Sequence, residues 1–351
     1  MGHPYLCKVL RVALLLIALP KPFDRNMLLT SQLQKIVVAL VLACALCHVQ
    51  VAQAIYPEKS LRLIAPFAPG GGTDQMSRAL GAGLAKVLGQ TVVIENKPGA
   101  GTVIGMDLVA RSAPDGYTLV LATFAHAVNS TLQARLPYDS DKAFAPVALI
   151  ARGPNVLVVR SESPFHSVQE IVAAAKAQPG KLTYASQGNG TSAHLAGEMF
   201  QNLGKIELTH IPYRGASLAL TDVLGGQVDL FIGTAAGVSP LVASGKLRAI
   251  AVTSPLASSA FEGVATVAAT LPGYAVESWY GVYAPAGTPA SIVDTLNLAI
   301  QQTVKNPDFI KKIENEGLTI SVGAPAELEQ YVQAEQARWR KIILENKIQT
   351  Q

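Results

Sequence analysis

Cysteine is scarce in this chain and confined to one end: Cys7, Cys44 and Cys47 are all there is. If the chain is cleaved after Ala54, as argued below, the remainder has no disulfide, no thiol nucleophile and no thiolate metal ligand. Charge is scarce as well, at 15% of residues, while half of the residues are hydrophobic. That balance excludes a disordered chain and leaves ample apolar surface to bury. The formal excess of +4 does not belong to the body of the protein. Residues 1–54 hold Lys8, Arg11, Lys21, Arg25 and Lys35 against Asp24 alone; taking these from 28 basic and 24 acidic residues leaves 23 of each. A neutral body offers no basic face to phosphate backbones, so nucleic acid is not an expected partner.

Several chemical signatures are missing too. Three glycines stand at 70–72, but no Lys follows them, so a phosphate-binding G-x-x-x-x-G-K-[ST] loop is absent, and G-x-G-x-x-G is not matched either. The histidines after residue 54 (His126, His166, His194 and His210) lack H-x-x-x-H or H-E-x-x-H spacing, so no metal is expected. A hydrolase would need Ser186 or Ser192 with His194 as nucleophile and base. No G-x-S-x-G elbow is present, however, and no orienting acid can be named. His194, at the start of a helix, reads as a structural group or a neutral hydrogen-bond donor. Neither an enzyme nor a cofactor is expected.

What is present begins with a targeting segment. Lys35 precedes the apolar run Ile36–Leu46, and Ala52-Gln53-Ala54 then supplies an A-x-A cleavage pattern. Met27 is a conventional start for this signal, with the stretch from Met1 repeating a basic and apolar pattern. The run is short for a bilayer span. A membrane anchor, or a lipid attached at Cys44 in Val41-Leu42-Ala43-Cys44, are the alternative readings. The expected location is the periplasm.

After Ala54, strand-like apolar runs alternate with helical patterns. Strands are read at Leu61–Phe67, Thr91–Glu95, Tyr117–Thr123, Val156–Arg160, Lys181–Ala185, Leu208–Ile211, Val228–Gly233, Leu247–Thr253 and from about Gly281. Helices are read at Thr73–Leu88, Thr102–Arg111, Ser167–Ala177, from Thr191, at Ala216–Leu224, and near Pro289, Pro307 and Pro325, where proline suits a first turn. Ser167 with Glu170 forms a capping box. Continuous rather than alternating apolar strands predict an α/β fold, each lobe a mostly parallel sheet flanked by helices. With 351 residues and no linker, two lobes must be joined by strands crossing between them. Crossings near Val159–Ser161 and Tyr280–Ala284 divide the chain into 55–159 plus 283–351 and 160–282.

Ligands of such sheets sit beyond the carboxyl ends of strands, where helix N-termini converge. The strand-to-helix loop Pro66-Phe67-Ala68-Pro69-Gly70-Gly71-Gly72-Thr73-Asp74 lets backbone N–H groups approach an anion closely. A tight turn alone also accounts for the glycines, and Asp74 either complements the helix N-terminus or meets a ligand ammonium. Asn96–Thr102 is a second such loop, in which Lys97 reads as part of a surface turn. Thr123-Phe124-Ala125-His126 follows the third strand. From the other lobe come Ser186–His194, including Gly190 and Thr191, and Pro212-Tyr213-Arg214-Gly215-Ala216.

In order along the chain, Tyr56-Pro57, Pro66–Gly71 with Asp74, Glu95–Gly101, Pro114–Thr118, Tyr184–Ser186, His194–Glu198, Pro212–Gly215 and Gly225–Asp229 resemble the Bug-type (TctC-like) receptors of tripartite tricarboxylate transporters. The resemblance implies a Venus-flytrap fold of the type II periplasmic-binding class. It also implies a small carboxylate (a mono- or dicarboxylate, an aromatic acid or an acidic amino acid) held largely by backbone groups and waters. Ala68, Gly70, Gly71, Asp74, Ser186, Gly190, Thr191, His194 and Arg214 keep the family pattern, with Arg214 where Lys is frequent. Phe124 and His126 depart from the usual Thr/Ser-rich stretch, at a place where ligand selection is expected. A monomer serving membrane permease subunits follows, with an orphan receptor in periplasmic signalling as the alternative.

Overall fold

The computed structural model describes residues 56–133 and 135–349. The targeting segment expected over 1–54, with its Met27 start and cleavage site, lies outside the described residues. Ten strands form a continuous sheet. The first half contains β1 (Leu61–Ala65), β2 (Val92–Asn96), β3 (Thr118–Thr123), the long β4 (Phe144–Arg160) and, from late in the chain, β9 (Glu277–Pro285) and β10 (Thr319–Ile320). The second half adds β5 (Thr183–Ser186), β6 (Thr209–Pro212), β7 (Leu230–Thr234) and β8 (Leu247–Val252) to the far end of β4. The order runs β2-β1-β3-β9-β4-β7-β5-β6.

The α/β fold is the one expected, with a mixed sheet. β1 lies parallel to β2 and β3, and β5 parallel to β6 and β7. Every pairing that involves β4 or β9 is antiparallel. At 17 residues β4 is roughly 55 Å long, enough to serve both halves. Phe144–Pro154 pairs with β9, and Asn155–Arg160 pairs with β7 and β8. The partner exchange falls at Pro154/Asn155, a few residues before the crossing expected at Val159–Ser161. The amino-terminal part of β4 escaped the sequence reading. It carries Pro146 and Pro154, and the strand accommodates them with register shifts at Pro146/Ala148 and Leu149/Ala151 and at the handover itself.

Strands buried on both faces explain the unbroken apolar runs. On β4, Leu157 and Val159 enter one core while Val156 and Val158 enter another, and on β7 Ile232 and Phe231 divide in the same way. Helix α1 (Gly72–Leu88) covers the first half with α8 (Ala290–Val304), burying Leu80, Leu84, Leu296 and Ile300. On the opposite face lie α2 (Val103–Ala110) and α3 (Ala125–Leu132), the latter a helix the sequence reading passed over. In the second half, α4 (Val168–Ala177) is capped by the Ser167 hydroxyl, which accepts from the Glu170 amide at 3.2 Å. The Glu170 carboxylate reaches back to the His166 amide rather than to that of Ser167. There follow α5 (Ser192–Gly204), α6 (Ala216–Leu224) and α7 (Ala235–Ala243), whose internal Pro240 hid it from sequence reading. The chain ends with α9 (Pro307–Asn315) and α10 (Pro325–Glu345), each with proline in its first turn.

Helix α10 folds back on the opening half and inserts Trp339, fully buried, edge-on against Phe124 at 4.9 Å. Among the described residues no helix is long and apolar enough to cross a membrane. Removing a fully buried aromatic ring costs about 3–5 kcal/mol. Trp339→Ala is therefore expected to lower the urea stability of the protein by that amount, measured by circular dichroism; a loss below about 1 kcal/mol contradicts this packing.

Candidate ligand-binding cleft

The loop after β1 is braced from behind. The Asp74 carboxylate accepts from the Gly70 amide, Arg78 Nε and Asn96 Nδ2, each at 3.0 Å. Asn96 Nδ2 also donates to the Phe67 carbonyl, so the end of β2 holds the loop in place. Burial alone would raise the pKa of Asp74; the hydrogen bonds from Arg78, Gly70 and Asn96 outweigh it and leave the group below its ordinary value. With these partners Asp74 complements the helix start and holds its own loop. Gly70 is left-handed (φ +85), a conformation that glycine adopts without strain.

The loop after β2 bends sharply. Gly99, Ala100, Gly101 and Thr102 all have positive φ, at 130, 46, 58 and 81 degrees. Two of them carry side chains, so this backbone is sterically unfavourable and is held by its surroundings. Asn129 of α3 supplies one anchor, donating to the Gly101 carbonyl at 2.9 Å. Lys97 pairs with Glu95 at 3.5 Å, in keeping with a surface turn.

In the second half, Thr191 caps α5, its hydroxyl donating to the Gly188 carbonyl and accepting from the His194 amide. His194 Nδ1 accepts from the Gly190 amide at 3.2 Å. The Ser186 hydroxyl lies 2.7 Å from His210 Nε2 and accepts from the Gly188 amide. Beneath the loop, the rings of Tyr184, His210 and His194 stack at 4.6 and 4.5 Å. Tyr184 OH donates to Glu198, whose carboxylate stands 3.8 Å from His194 Nε2. Ser186, Thr191 and His194 are buried and shape this loop from below.

The two halves meet directly. The Ala68 amide donates to the Arg214 carbonyl, and the Ser217 hydroxyl donates to the Pro69 carbonyl. A Cβ on Gly215 would sit 3.3 Å from that of Ala68, and one on Gly71 would sit 3.5 Å from that of Ala216. A Cβ on Gly101 would collide with the Asn189 carbonyl, so a third contact depends on that glycine. Between these contacts lies a cavity of about 300 Å³. Phe67 and the turn 99–102 line one side with Gln133, and residues 187–189 and 212–214 line the other.

Of the residues expected at the site, Phe67, Tyr213 and Arg214 line this cavity, while Ala68, Pro69, Gly71 and Gly215 form the contacts around it. Asp74, Ser186, Gly190, Thr191 and His194 support the loops. Thr123, Phe124 and Ala125 are buried away from the cavity, Phe124 against Trp339. His126 is enclosed by Phe144 and Tyr283, and burial lowers its pKa to about 4. The cavity also takes Gln187 and Asn189, from the Ser186–His194 loop expected at the site, and Gln133, which sequence reading did not single out. Gln133 closes a helix that was not recognised, and no motif marks it.

Arg214 is the sole charged side chain among the described residues lining the cavity. It is exposed, and its guanidinium forms no ion pair or hydrogen bond with described residues. Among the described residues no carboxylate lines the cavity to receive an ammonium. Among the described residues no His, Cys, Asp and Glu cluster could hold a metal. Tyr213 donates to Asp222, and burial with this bond pushes its phenol up to about 12.

The family model described as "Tripartite tricarboxylate transporter family receptor", TctC, matches residues 76–348. The chain belongs to this receptor family. It is 34% identical to protein BugT of Bordetella pertussis over 312 residues, 88% of this chain and 96% of that one. Periplasmic binding protein BugD superposes with a TM-score of 0.81 at 31% identity, covering 84% of this receptor and 100% of BugD. An R. palustris protein solved with adipate gives 0.81 at 34% identity, over 84% of this receptor and 99% of that chain. MatC from Rhodopseudomonas palustris with bound malate gives 0.79 at 32%, over 82% and 100%. The family consists of periplasmic binding receptors rather than enzymes. The Ser186–His210 pair accordingly serves the loop.

Burial lowers His194 to about 4; burial and then the neighbouring His194 lower His210 to about 3. Both rings stay neutral in the folded receptor where an unfolded chain, with an ordinary histidine pKa near ~6.5, takes up protons. Their contribution to stability is therefore fully present above ~6.5 and is lost as pH drops toward 4, against an opposite contribution from Glu316, whose carboxyl burial raises to about 7. The urea midpoint is expected to be lower at pH 5 than at pH 7.5, with a smaller difference in His210→Gln. An equal midpoint shift in the wild type and in His210→Gln contradicts a neutral buried pair.

Proposed function

We propose that this receptor captures a small organic carboxylate in the cavity between its sheet halves and presents it to the membrane permease subunits of a tripartite tricarboxylate-type transporter. On this reading residues 55–159 plus 283–351 form one lobe and 160–282 the other. Cleavage after Ala54 releases a soluble monomer into the periplasm. The observation that carries the reading is Arg214: a cation unpaired among the described residues, lining a cavity whose other described residues are uncharged. Adipate and malate, bound by relatives at 34% and 32% identity, are carboxylates of suitable size. The cavity lies at the small end of the ~300–1,000 Å³ range of small-molecule sites.

Arg214 offers a planar fork that suits a carboxylate. A hydrogen bond between charged groups contributes about 1.5–3 kcal/mol, and exposure reduces that toward the ~1 kcal/mol of surface ion pairs. Arg214→Ala is therefore expected to weaken binding of an organic acid by about 1–2 kcal/mol, roughly 5- to 30-fold. Arg214→Lys should lose less. Isothermal titration of the wild type and both variants against a panel of C3–C8 acids tests this. Binding of neutral sugars, with no acid bound at millimolar concentration, would overturn the assignment.

A further inference from the structure

The turn at residues 99–102 is the part of the cavity wall that its own sequence favours least. Ala100 and Thr102 carry side chains at φ of 46 and 81 degrees, where glycine alone is at ease. All four residues of the turn line the cavity. A wall built this way keeps its shape only while something outside the turn holds it.

Asn129 of α3 is placed to do so. It is buried behind the turn and does not itself line the cavity. Its Nδ2 donates to the Gly101 carbonyl at 2.9 Å and stands 3.4 Å from the Thr102 hydroxyl. A carbonyl only accepts, so this contact fixes which end of the carboxamide is the amide. The other end, Oδ1, accepts no hydrogen bond from the described residues and faces the second half, where a Cβ on Gly190 would sit 2.7 Å from it. The turn itself meets the preceding residue, since a Cβ on Gly101 would collide with the Asn189 carbonyl. One side chain therefore sets the turn and lies against the loop that faces it.

We infer that Asn129 is a positioning residue: without touching the ligand, it holds the strained 99–102 turn in the shape that completes the cavity and meets residues 189–190. The inference rests on the carboxylate reading only for what the cavity holds. Ligand affinity then scales with the fraction of molecules whose turn is in place. Loss of Asn129 weakens binding through that fraction, and a residue at ease with positive φ restores it.

A double-mutant cycle tests this. Asn129→Ala, Ala100→Gly and the pair are compared with the wild type by hydrogen–deuterium exchange of peptides spanning residues 97–105 and by urea midpoint. Isothermal titration with adipate, malate and the rest of the C3–C8 panel completes the set. In Asn129→Ala, exchange in this segment and the dissociation constant of any acid that the wild type binds are both expected to rise about threefold to tenfold. Ala100→Gly alone should change both little. In the pair it should recover at least half of each loss on a logarithmic scale, because glycine removes the steric cost of the left-handed turn. Asn129→Ser carries the same cycle if the alanine variant does not fold. A segment that exchanges no faster without Asn129, or a pair that recovers nothing, would overturn the inference. If no acid binds the wild type, the carboxylate reading fails, while the exchange rates still decide whether Asn129 holds the turn.

Discussion

The antiparallel pairing of β4 with β9 is the constraint on which the cleft depends. Because β4 continues past Pro154 into the second sheet half, two sets of strands share one backbone without a flexible linker. Each half ends its parallel strands in loops that start helices, and β4 holds the two sets of loops facing one another. The chain's small residues follow from this. Ala68, Gly71 and Gly101 on one side meet Gly215, Ala216 and Asn189 on the other, where larger side chains would separate the halves. A cavity is left only where the loops do not touch.

Electrostatics then select the occupant. The acidic groups nearest the loops are already committed: Asp74 to Gly70, Arg78 and Asn96, Asp222 to Tyr213, and Glu95 to Arg62 and Lys97. These pairings keep negative charge out of the cavity and leave Arg214 unopposed. The histidines beneath the second-half loop are held neutral by burial, so they add no competing positive charge near neutral pH. On the proposed reading, an anion held by one exposed guanidinium and by backbone groups is bound reversibly, as delivery to a transporter requires.

Much of this was legible in the residues. The strand-to-helix loops at 66–74, 186–194 and 212–216 could be placed from glycine and proline punctuation between apolar runs, and α6 coincides with the helix read at Ala216–Leu224. The failures have physical causes. The first part of β4 was hidden by Pro146 and Pro154, which the strand tolerates only at its irregularities. Phe124 and His126 follow β3 at the correct edge of the sheet, yet helix α3 turns them toward Trp339 and Tyr283. Side-chain direction in a short helix depends on packing partners far away in the sequence, which no local pattern records. Gln133, placed by that same helix, was missed for the same reason. Asp74 was read with two roles left open; its carboxylate accepts from Gly70, Arg78 and Asn96, which suits support of the loop.

The central claim is that the space bounded by Phe67, Ala100–Thr102, Gln187 and Arg214 is where an organic acid is trapped. A crystal structure of the protein purified from its native host is the decisive test. Electron density for a small acid is expected in that space, with a carboxylate within hydrogen-bond distance of the Arg214 guanidinium. Density for a ligand elsewhere, or a ligand in the cleft with its carboxylate turned away from Arg214, would contradict it.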